Sequence, residues 1–397
     1  MPLRTRLILI LGALTAFGPF SVDMYLPSFP ALARDLNASA AAVQVTLSAF
    51  LVGLAAGQLI LGPVSDRFGR RAPLIAGLVL YSLASVACAN APNIESLWVA
   101  RFVQSIGACA MLVIARAAVR DLYHGAEAAR FFSLLMLVLG TAPIVGPLLG
   151  AFILENYGWR GIFWLLAAMS AATLVAVSLG LPETLRADRR SRGGILGALK
   201  AYLTLLRDRR FLAPTLAADC VFAGLFAFIA GGPFVFIELH GLSPQAFGLL
   251  FSINAIGLLA ASQVNAHLVL RFGPARMLTA ALLIYFLGAA ILAFNAVTGF
   301  GGFLGLAVPL FVCFSMVGVA PTNAMALAQE HYPHAAGSAA ALFGSIQFGI
   351  GAIIGGLTGL LHDGTAVPMA AMIVLAAIVS LAVNHWLTPG REVRRPR

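Results

Sequence analysis

Four charged side chains lie inside long apolar runs of the sequence: Asp23, Arg101, Arg116 and Asp219. If these runs cross a lipid bilayer, a charge near mid-helix costs on the order of 2.5–3.5 kcal/mol on insertion scales. Each of the four therefore needs a partner or a function. A carboxyl group in such a place can bind and release a proton, and a nearby guanidinium favours its ionised form. The chemistry open to these residues is proton transfer inside a membrane.

The composition indicates that the apolar runs are membrane spans. Of 397 residues, 60% are hydrophobic and 10% are charged, whereas about a quarter of the residues of a soluble domain are charged. The mean hydropathy is +0.95. The runs are about 20 residues long and continuously apolar, which favours helices over a barrel. We predict an all-α polytopic membrane protein with twelve transmembrane helices.

The basic residues predict the orientation of the chain. The formal net charge is +10, and nearly all basic residues fall in the termini and in the loops on one side of the twelve-span topology. Only Arg34 and Arg160 fall in loops on the other side. This asymmetry predicts that both termini are cytoplasmic. The anionic inner face of the membrane accounts for the basic balance, so we expect the lipid bilayer and no nucleic acid as a partner.

A polar stretch divides the spans into two groups of six. The predicted units are residues 1–182, a cytoplasmic linker of residues 183–210, and residues 211–397 with a short cytoplasmic tail. Short motifs recur in the second group: Arg67-Phe68-Gly69 as Arg271-Phe272-Gly273, and Gly146 and Gly150 as Gly351 and Gly355. We therefore predict two pseudo-symmetric halves with a substrate site between them, near the middle of the membrane.

A charged decapeptide joins the second and third predicted spans: Gly62-Pro63-Val64-Ser65-Asp66-Arg67-Phe68-Gly69-Arg70-Arg71. Between two membrane-length helices it predicts a tight hairpin whose acid and arginines pair with neighbouring helix ends. The pattern resembles the loop between helices two and three of the major facilitator superfamily of secondary transporters. The resemblance implies a cytoplasmic gate formed by Gly62, Asp66, Arg67, Gly69, Arg70 and Arg71.

Further motifs resemble drug:proton antiporters of the bicyclomycin-resistance (Bcr/CflA) branch of that superfamily. They cover residues 21–27, 100–107, 114–123, 140–150 and 342–349. Ser105 stands where the helix-4 motif usually has Gly, and Thr15 stands where some relatives carry a second acid. The resemblance implies proton coupling by Asp23 and Arg101. It also implies an antiporter motif in helix 5, formed by Gly140, Pro143, Gly146, Pro147 and Gly150.

Asp23 and Arg101 are expected at the same depth. At 1.5 Å per residue, each lies about 6 Å from the outer end of its predicted helix. They are therefore positioned to pair, and a movement of Arg101 would switch Asp23 between its protonated and ionised forms. The alternative is that Asp23 is hydrated and only marks the end of helix 1.

Other polar and aromatic residues are candidates for the substrate cavity. Arg116 contacts the substrate or the gate, or else only anchors a helix end by snorkelling. Asp219 attracts a cation or carries a proton, or else bonds to a neighbouring helix. The full set is Tyr25, Gln104, Arg116, Asp219, Phe226, Asn254 and Gln347.

The sequence contains no Gly-x-x-x-x-Gly-Lys-Ser/Thr phosphate-binding loop. We expect no cofactor, no metal and no enzymatic activity, because no metal set or nucleophile–base cluster is evident. The expected function is a proton-coupled antiporter of the bacterial inner membrane. As a monomer, it would export small amphipathic drugs or antibiotics by alternating access. The alternative is a dedicated metabolite exporter, or an importer, on the same fold.

Overall fold

The computed structural model describes residues 3–123, 125–190, 194–332 and 335–386. The predicted tail beyond residue 386 and residues 191–193 of the linker lie outside these ranges. In the described part of the chain every regular element is helical. The α-helices, α1 to α14, are Leu3–Asp23, Phe29–Asp35, Ala40–Phe68, Arg71–Ala89, Ile94–Leu122, Gly125–Gly180, Gly194–Arg207, Arg209–Pro233, Pro244–Phe272, Pro274–Thr298, Gly302–Val317, Ala320–Gln329, Ala336–Leu360 and Val367–Trp386.

Eleven helical stretches of the described residues are long and apolar enough to cross a membrane. The protein is therefore an all-helical, multi-pass membrane protein. One of these stretches, Leu137–Gly180, contains a break at Gly158, where φ is 72° and ψ is 175°. Glycine adopts such a conformation without the steric penalty of a Cβ. Helix α6 therefore consists of two helical segments that meet at Gly158.

The first apolar stretch, Arg6–Asp35, is interrupted just after Asp23. Helix α1 ends there, and a short 3-10 helix, Leu26–Ser28, leads into α2. Pro27 contributes to the break because it lacks a backbone N–H. The observed end of α1 at Asp23 is therefore about four residues before the predicted end of helix 1.

Two helix pairs join the first part of the bundle to the second. We call α1–α6 the N-terminal helices and α8–α14 the C-terminal helices. Helix α3 packs against α13, and α6 packs against α9. Hydrogen bonds cross both contacts: Ser48 Oγ donates to the Ala352 carbonyl at 3.1 Å, and Ser252 Oγ donates to the Ile144 carbonyl at 2.7 Å.

The repeated loop motifs have the same local geometry. Gly69 and Gly273 both have positive φ angles, 91° and 77°. In each loop an arginine lies over the ring of the next phenylalanine, at 5.5 Å for Arg67 and 5.4 Å for Arg271. The similarity that the sequence repeat predicted is therefore present in the structure of these loops.

Candidate functional site

Asp23 lies on the wall of a small cavity between the N-terminal and C-terminal helices. This central cavity has a volume of about 100 Å³. Its other walls include Gly140 and Pro143 of α6, Leu225 of α8, Phe251 of α9 and Phe314 of α11. Among the described residues that line this cavity, Asp23 is the one with a charged side chain. The cavity therefore places one carboxyl group against an apolar and aromatic surface.

The Asp23 carboxyl makes no hydrogen bond or ion pair with any described residue. The residue is 5% exposed, so little of it reaches solvent outside the cavity. A carboxylate buried without a partner is expensive, whereas a neutral acid suits apolar walls better. A change of solvent access at this position would therefore change which form of the acid is favoured.

Arg101 is fully buried but does not pair with Asp23 in this structure. Its Nη2 donates to the Ser21 carbonyl at 2.9 Å, and its Nη1 donates to Gln104 Oε1 at 2.6 Å. The guanidinium also lies 4.3 Å from the ring centre of Phe50. Arg101 thus holds α1 two residues before Asp23, and the pairing expected from their shared depth is not formed.

Tyr25 and Gln104 belong to the packing around Arg101 and line neither cavity described here. The Tyr25 ring lies 4.8 Å from the guanidinium carbon, and its hydroxyl lies 3.0 Å from Thr46 Oγ1. Gln104 Nε2 donates to Ser85 Oγ at 2.8 Å. The structure therefore gives these two predicted substrate contacts a different position, from which they orient Arg101.

The glycines of the helix-5 motif bring α6 into direct contact with α1. A Cβ on Gly150 would lie 2.0 Å from the Met24 carbonyl oxygen, and one on Gly146 would lie 3.0 Å from the Asp23 Cβ. On another face of α6, a Cβ on Gly140 would lie 2.6 Å from the Leu259 side chain of α9. The backbone leaves the helical region at Gly158 and not at Pro143 or Pro147. These glycines therefore permit a close helix approach, and the role of the motif in antiport stays a prediction.

A larger cavity lies at the end of the bundle where α3 and α5 end. This cavity, which we call the vestibule, has a volume of about 350 Å³. Its lining includes Gln58, Gly62 and Asp66 of α3, Arg116 and Arg120 of α5, Tyr202 of α7 and Ala341 of α13. Helix α7 lies across one side of it, since Tyr202 Oη donates to the Leu59 carbonyl at 3.1 Å. Of the predicted substrate-cavity residues, the vestibule contains Arg116.

The predicted gate residues form a connected group beside the vestibule. Arg70 Nη1 donates to Asp66 Oδ1 at 2.5 Å, and its Nε donates to Asp121 Oδ2 at 2.8 Å. Burial alone would lower the pKa of Arg70, but the hydrogen bonds to Asp121 and Asp66 outweigh it and raise that pKa. The expected pairing with neighbouring helix ends is confirmed, because Asp121 lies at the end of α5.

Glu183 completes this group from the other side of the loop. Its carboxylate accepts the backbone N–H of Arg70 at 2.8 Å and that of Arg71 at 3.3 Å. A Cβ on Gly69 would lie 2.4 Å from Glu183 Oε2, so the close approach requires glycine. Arg71 Nη2 also donates to the Ser178 carbonyl at 2.6 Å. The loop is therefore bound to the N-terminal helices and to the start of the linker.

The other predicted cavity residues lie among the C-terminal helices and line neither cavity described here. Asp219 is fully buried, and neither carboxyl oxygen has a hydrogen bond to a described residue. Gln347 lies beside it without a hydrogen bond of normal geometry. Phe226 packs on Gly351, and Asn254 Nδ2 donates to the Leu250 carbonyl at 2.9 Å.

The aromatic wall of the central cavity was missed in the sequence. Phe251 stacks on Phe228 with ring centres 5.8 Å apart and meets Phe314 edge-on at 5.5 Å. The signal available for it is the four-residue spacing of Phe247 and Phe251, which puts both rings on one face of α9. That spacing alone does not distinguish a lipid-facing stripe from a cavity wall.

Membrane-spanning helices packed around internal cavities are typical of integral membrane proteins that bind solutes between their helices. Residues 11–356 match the Major Facilitator Superfamily. The chain therefore belongs to this superfamily of transporters and is not an enzyme, as its motifs indicated.

Relatives and solved structures agree with this assignment. The chain is 39% identical to the uncharacterised MFS-type transporter YdgK of Bacillus subtilis, over 98% of this chain and 96% of that protein. It is 33% identical to a bicyclomycin resistance protein homolog of Haemophilus influenzae, over 96% of each. It is 30% identical to a chloramphenicol resistance protein of Pseudomonas aeruginosa, over 95% and 89%. The structure of the nucleoside transporter NupG has the same fold, with a TM-score of 0.74 at 16% identity over 97% and 99% of the chains.

Proposed function

We propose that this protein is a proton-coupled antiporter that exports small amphipathic drugs or antibiotics from the bacterial cytoplasm by alternating access. The observation that carries the proposal is Asp23, an unpaired carboxyl group on an apolar wall between the N-terminal and C-terminal helices. Relatives named for resistance to bicyclomycin and chloramphenicol support drugs as the class of substrate.

The proposal includes a topology. The two segments of α6 each cross the membrane, which gives twelve spans in two halves, residues 1–182 and 211–397, joined by the linker of residues 183–210. The basic loops and both termini face the cytoplasm of the inner membrane. The vestibule then opens to the cytoplasm, so this conformation faces inward. The protein works as a monomer, because both cavities lie within one chain.

Asp23 carries the proton in this mechanism. When the contacts of α3 with α13 and of α6 with α9 rearrange to face outward, the central cavity opens to the outer side and Asp23 takes up a proton. The neutral acid suits the apolar walls of the closed cavity, and the proton leaves when water reaches it from the cytoplasm. A potential of 100 mV contributes about 2.3 kcal/mol for each charge moved.

The remaining predicted residues support the cycle. Arg101 positions α1 through Ser21, so that Asp23 moves with α1 and α6 as one unit. The gate residues Gly62, Asp66, Arg67, Gly69, Arg70 and Arg71 hold the cytoplasmic ends of the N-terminal helices together. In the outward-facing state, these helix ends close against the C-terminal helices and so latch the cytoplasmic side.

Proton release from everted membrane vesicles tests the proposal. Vesicles acidified by respiration receive chloramphenicol, bicyclomycin and a panel of dyes one at a time, and a fluorescent pH indicator reports the lumen. We expect compound-dependent proton release with the wild type and none with Asp23→Asn. Glu95→Gln is the matched control, because it removes an exposed carboxylate from the first turn of α5. Undiminished release by Asp23→Asn would move the coupling site elsewhere, and no release by any compound with the wild type would contradict antiport.

A further inference from the structure

Arg116 differs from Arg70, which also lines the vestibule, in having no partner among the described residues. Its Nε is buried and makes no hydrogen bond, and the guanidinium forms no ion pair with any described residue. Arg70, by contrast, is matched by the carboxylates of Asp66 and Asp121. The charge of Arg70 is therefore balanced inside the protein, and the charge of Arg116 is not.

The surroundings of Arg116 are those of a ligand site. The vestibule wall near it is formed by Val113 and Ala117, which flank it on α5, and by Ala341 of α13. Gln58 of α3 adds one amide to this lining. Arg116 is partly exposed on this wall, so its unpaired charge is accessible to a ligand that carries a counter-charge. The vestibule is also large enough for a small molecule, since such sites begin at about 300 Å³.

The simpler explanation, a snorkelling anchor at the helix end, fits Arg120 better than Arg116. Arg120 lies in the last turn of α5 and is exposed. Arg116 lies one turn further into the helix, about 9 Å from Leu122, and its Nε does not reach solvent. Snorkelling would take the charge out to water. Arg116 is less exposed than Arg120 and lines the vestibule, so its charge faces this cavity.

We propose that the vestibule binds amphipathic organic monoanions and that Arg116 binds their anionic group. A guanidinium presents a planar pair of donors that matches a carboxylate or sulfonate, and the apolar wall accepts the rest of the molecule. Arg120 adds a second positive charge to the same lining, and the acid of that lining, Asp66, is paired with Arg70, so an anion is favoured over a lipophilic cation. This inference rests on the proposed export function and names its substrate class.

Equilibrium binding to the purified full-length protein in lipid nanodiscs tests this proposal with three probes that share one ring system. They are 2-naphthaleneacetate, the neutral 2-naphthaleneacetamide, and the cationic (2-naphthylmethyl)trimethylammonium. At pH 7.5 we expect the wild type to bind the carboxylate at least about tenfold more tightly than the cation, the effect of one charged hydrogen bond. Arg116→Gln should remove this preference, and Arg116→Lys should keep part of it. Arg271→Gln, which makes the same change at an exposed position in the last turn of α9, should bind like the wild type.

Equal or tighter binding of the cation by the wild type would overturn the proposal, as would an unchanged preference in Arg116→Gln. If Arg116→Gln no longer binds the neutral probe either, this variant is misfolded, and Arg116→Lys becomes the deciding variant. If Arg116→Lys still binds the neutral probe but does not prefer the carboxylate, the proposed anion site is refuted. If the carboxylate binds through Arg116 but no compound releases protons in vesicles, the anion site is supported and the proposed antiport is refuted. If only cations drive proton release, the proposed antiport is supported and the anion site is refuted.

Discussion

Replacing Gly150 with Ala should displace α1 from α6 at the level of Asp23. The added Cβ would lie 2.0 Å from the Met24 carbonyl oxygen and 2.7 Å from its Cα. Both atoms belong to the backbone, so a change of side-chain rotamer cannot relieve the clash, and one helix has to move. Overpacking of this kind typically costs about 1–3 kcal/mol. We therefore expect a less stable protein in which Asp23 is shifted relative to the aromatic wall of the central cavity.

Thermal unfolding and transport measure the two consequences separately. The four cysteines are free and buried, so a thiol-reactive fluorescent dye reports unfolding in detergent. Gly150→Ala should lower the apparent Tm and abolish compound-dependent proton release. Gly349→Ala is the matched control, because it adds the same methyl group inside α13 where nothing lies within 4 Å of the new Cβ. In a helix interior that change is favourable by up to about 1 kcal/mol.

A Gly150→Ala protein with the stability and proton release of the wild type would refute this reasoning. It would mean that α1 and α6 separate at little cost and that their contact does not position Asp23. A loss of stability in Gly349→Ala as large as in Gly150→Ala would also refute it. The effect would then arise from alanine in these helices in general and not from the contact with Met24.

Two further predictions concern the buried and loop charges. Arg101→Lys should lower the apparent Tm, because an ammonium cannot donate to the Ser21 carbonyl and Gln104 while stacking on aromatic rings; wild-type stability would show that these contacts are dispensable. Burial alone would raise the pKa of Glu183, but the backbone N–H groups of Arg70, Leu185 and Arg71 outweigh it and lower that pKa. The Glu183 carboxylate therefore stabilises the loop fully when the pH is above 4.5, the usual pKa of this group. This contribution to stability is lost as the pH falls through the lowered pKa. Measurement of Tm against pH should show a flatter acid limb for Glu183→Gln, and an identical profile would contradict the assignment.

The sequence predicted best those features that depend on neighbours along the chain. The membrane spans follow from the length and continuity of the apolar runs. The pairing of Arg70 with Asp66 follows from their four-residue spacing at a helix end. The similar loops at Gly69 and Gly273 follow from a repeated tripeptide whose glycine adopts a positive φ. In each case the relevant geometry is set within a few residues.

The contacts of Asp23 could not be predicted from the sequence, because they depend on how the helices are rotated and where they break. Depth along a helix follows from residue number, so Asp23 and Arg101 were expected to meet. Rotation about the helix axis and the break after α1 do not follow from residue number. Helix α1 ends at Asp23 itself, and Arg101 is turned towards the Ser21 carbonyl. Agreement in depth was therefore an insufficient basis for predicting an ion pair.

Two arginines of α5 show how one helix serves both parts of the proposed mechanism. Arg101 and Arg116 are about 22 Å apart along the helix. Arg101 is enclosed by partners among the N-terminal helices and fixes α1 near Asp23, whereas Arg116 has no partner and faces the vestibule. In the proposed cycle the substrate and the proton therefore occupy different sites and need not compete for one carboxyl group. Coupling then has to pass through movement of the helices, and the contact of Gly146 and Gly150 with α1 is where a movement of α6 reaches Asp23 directly.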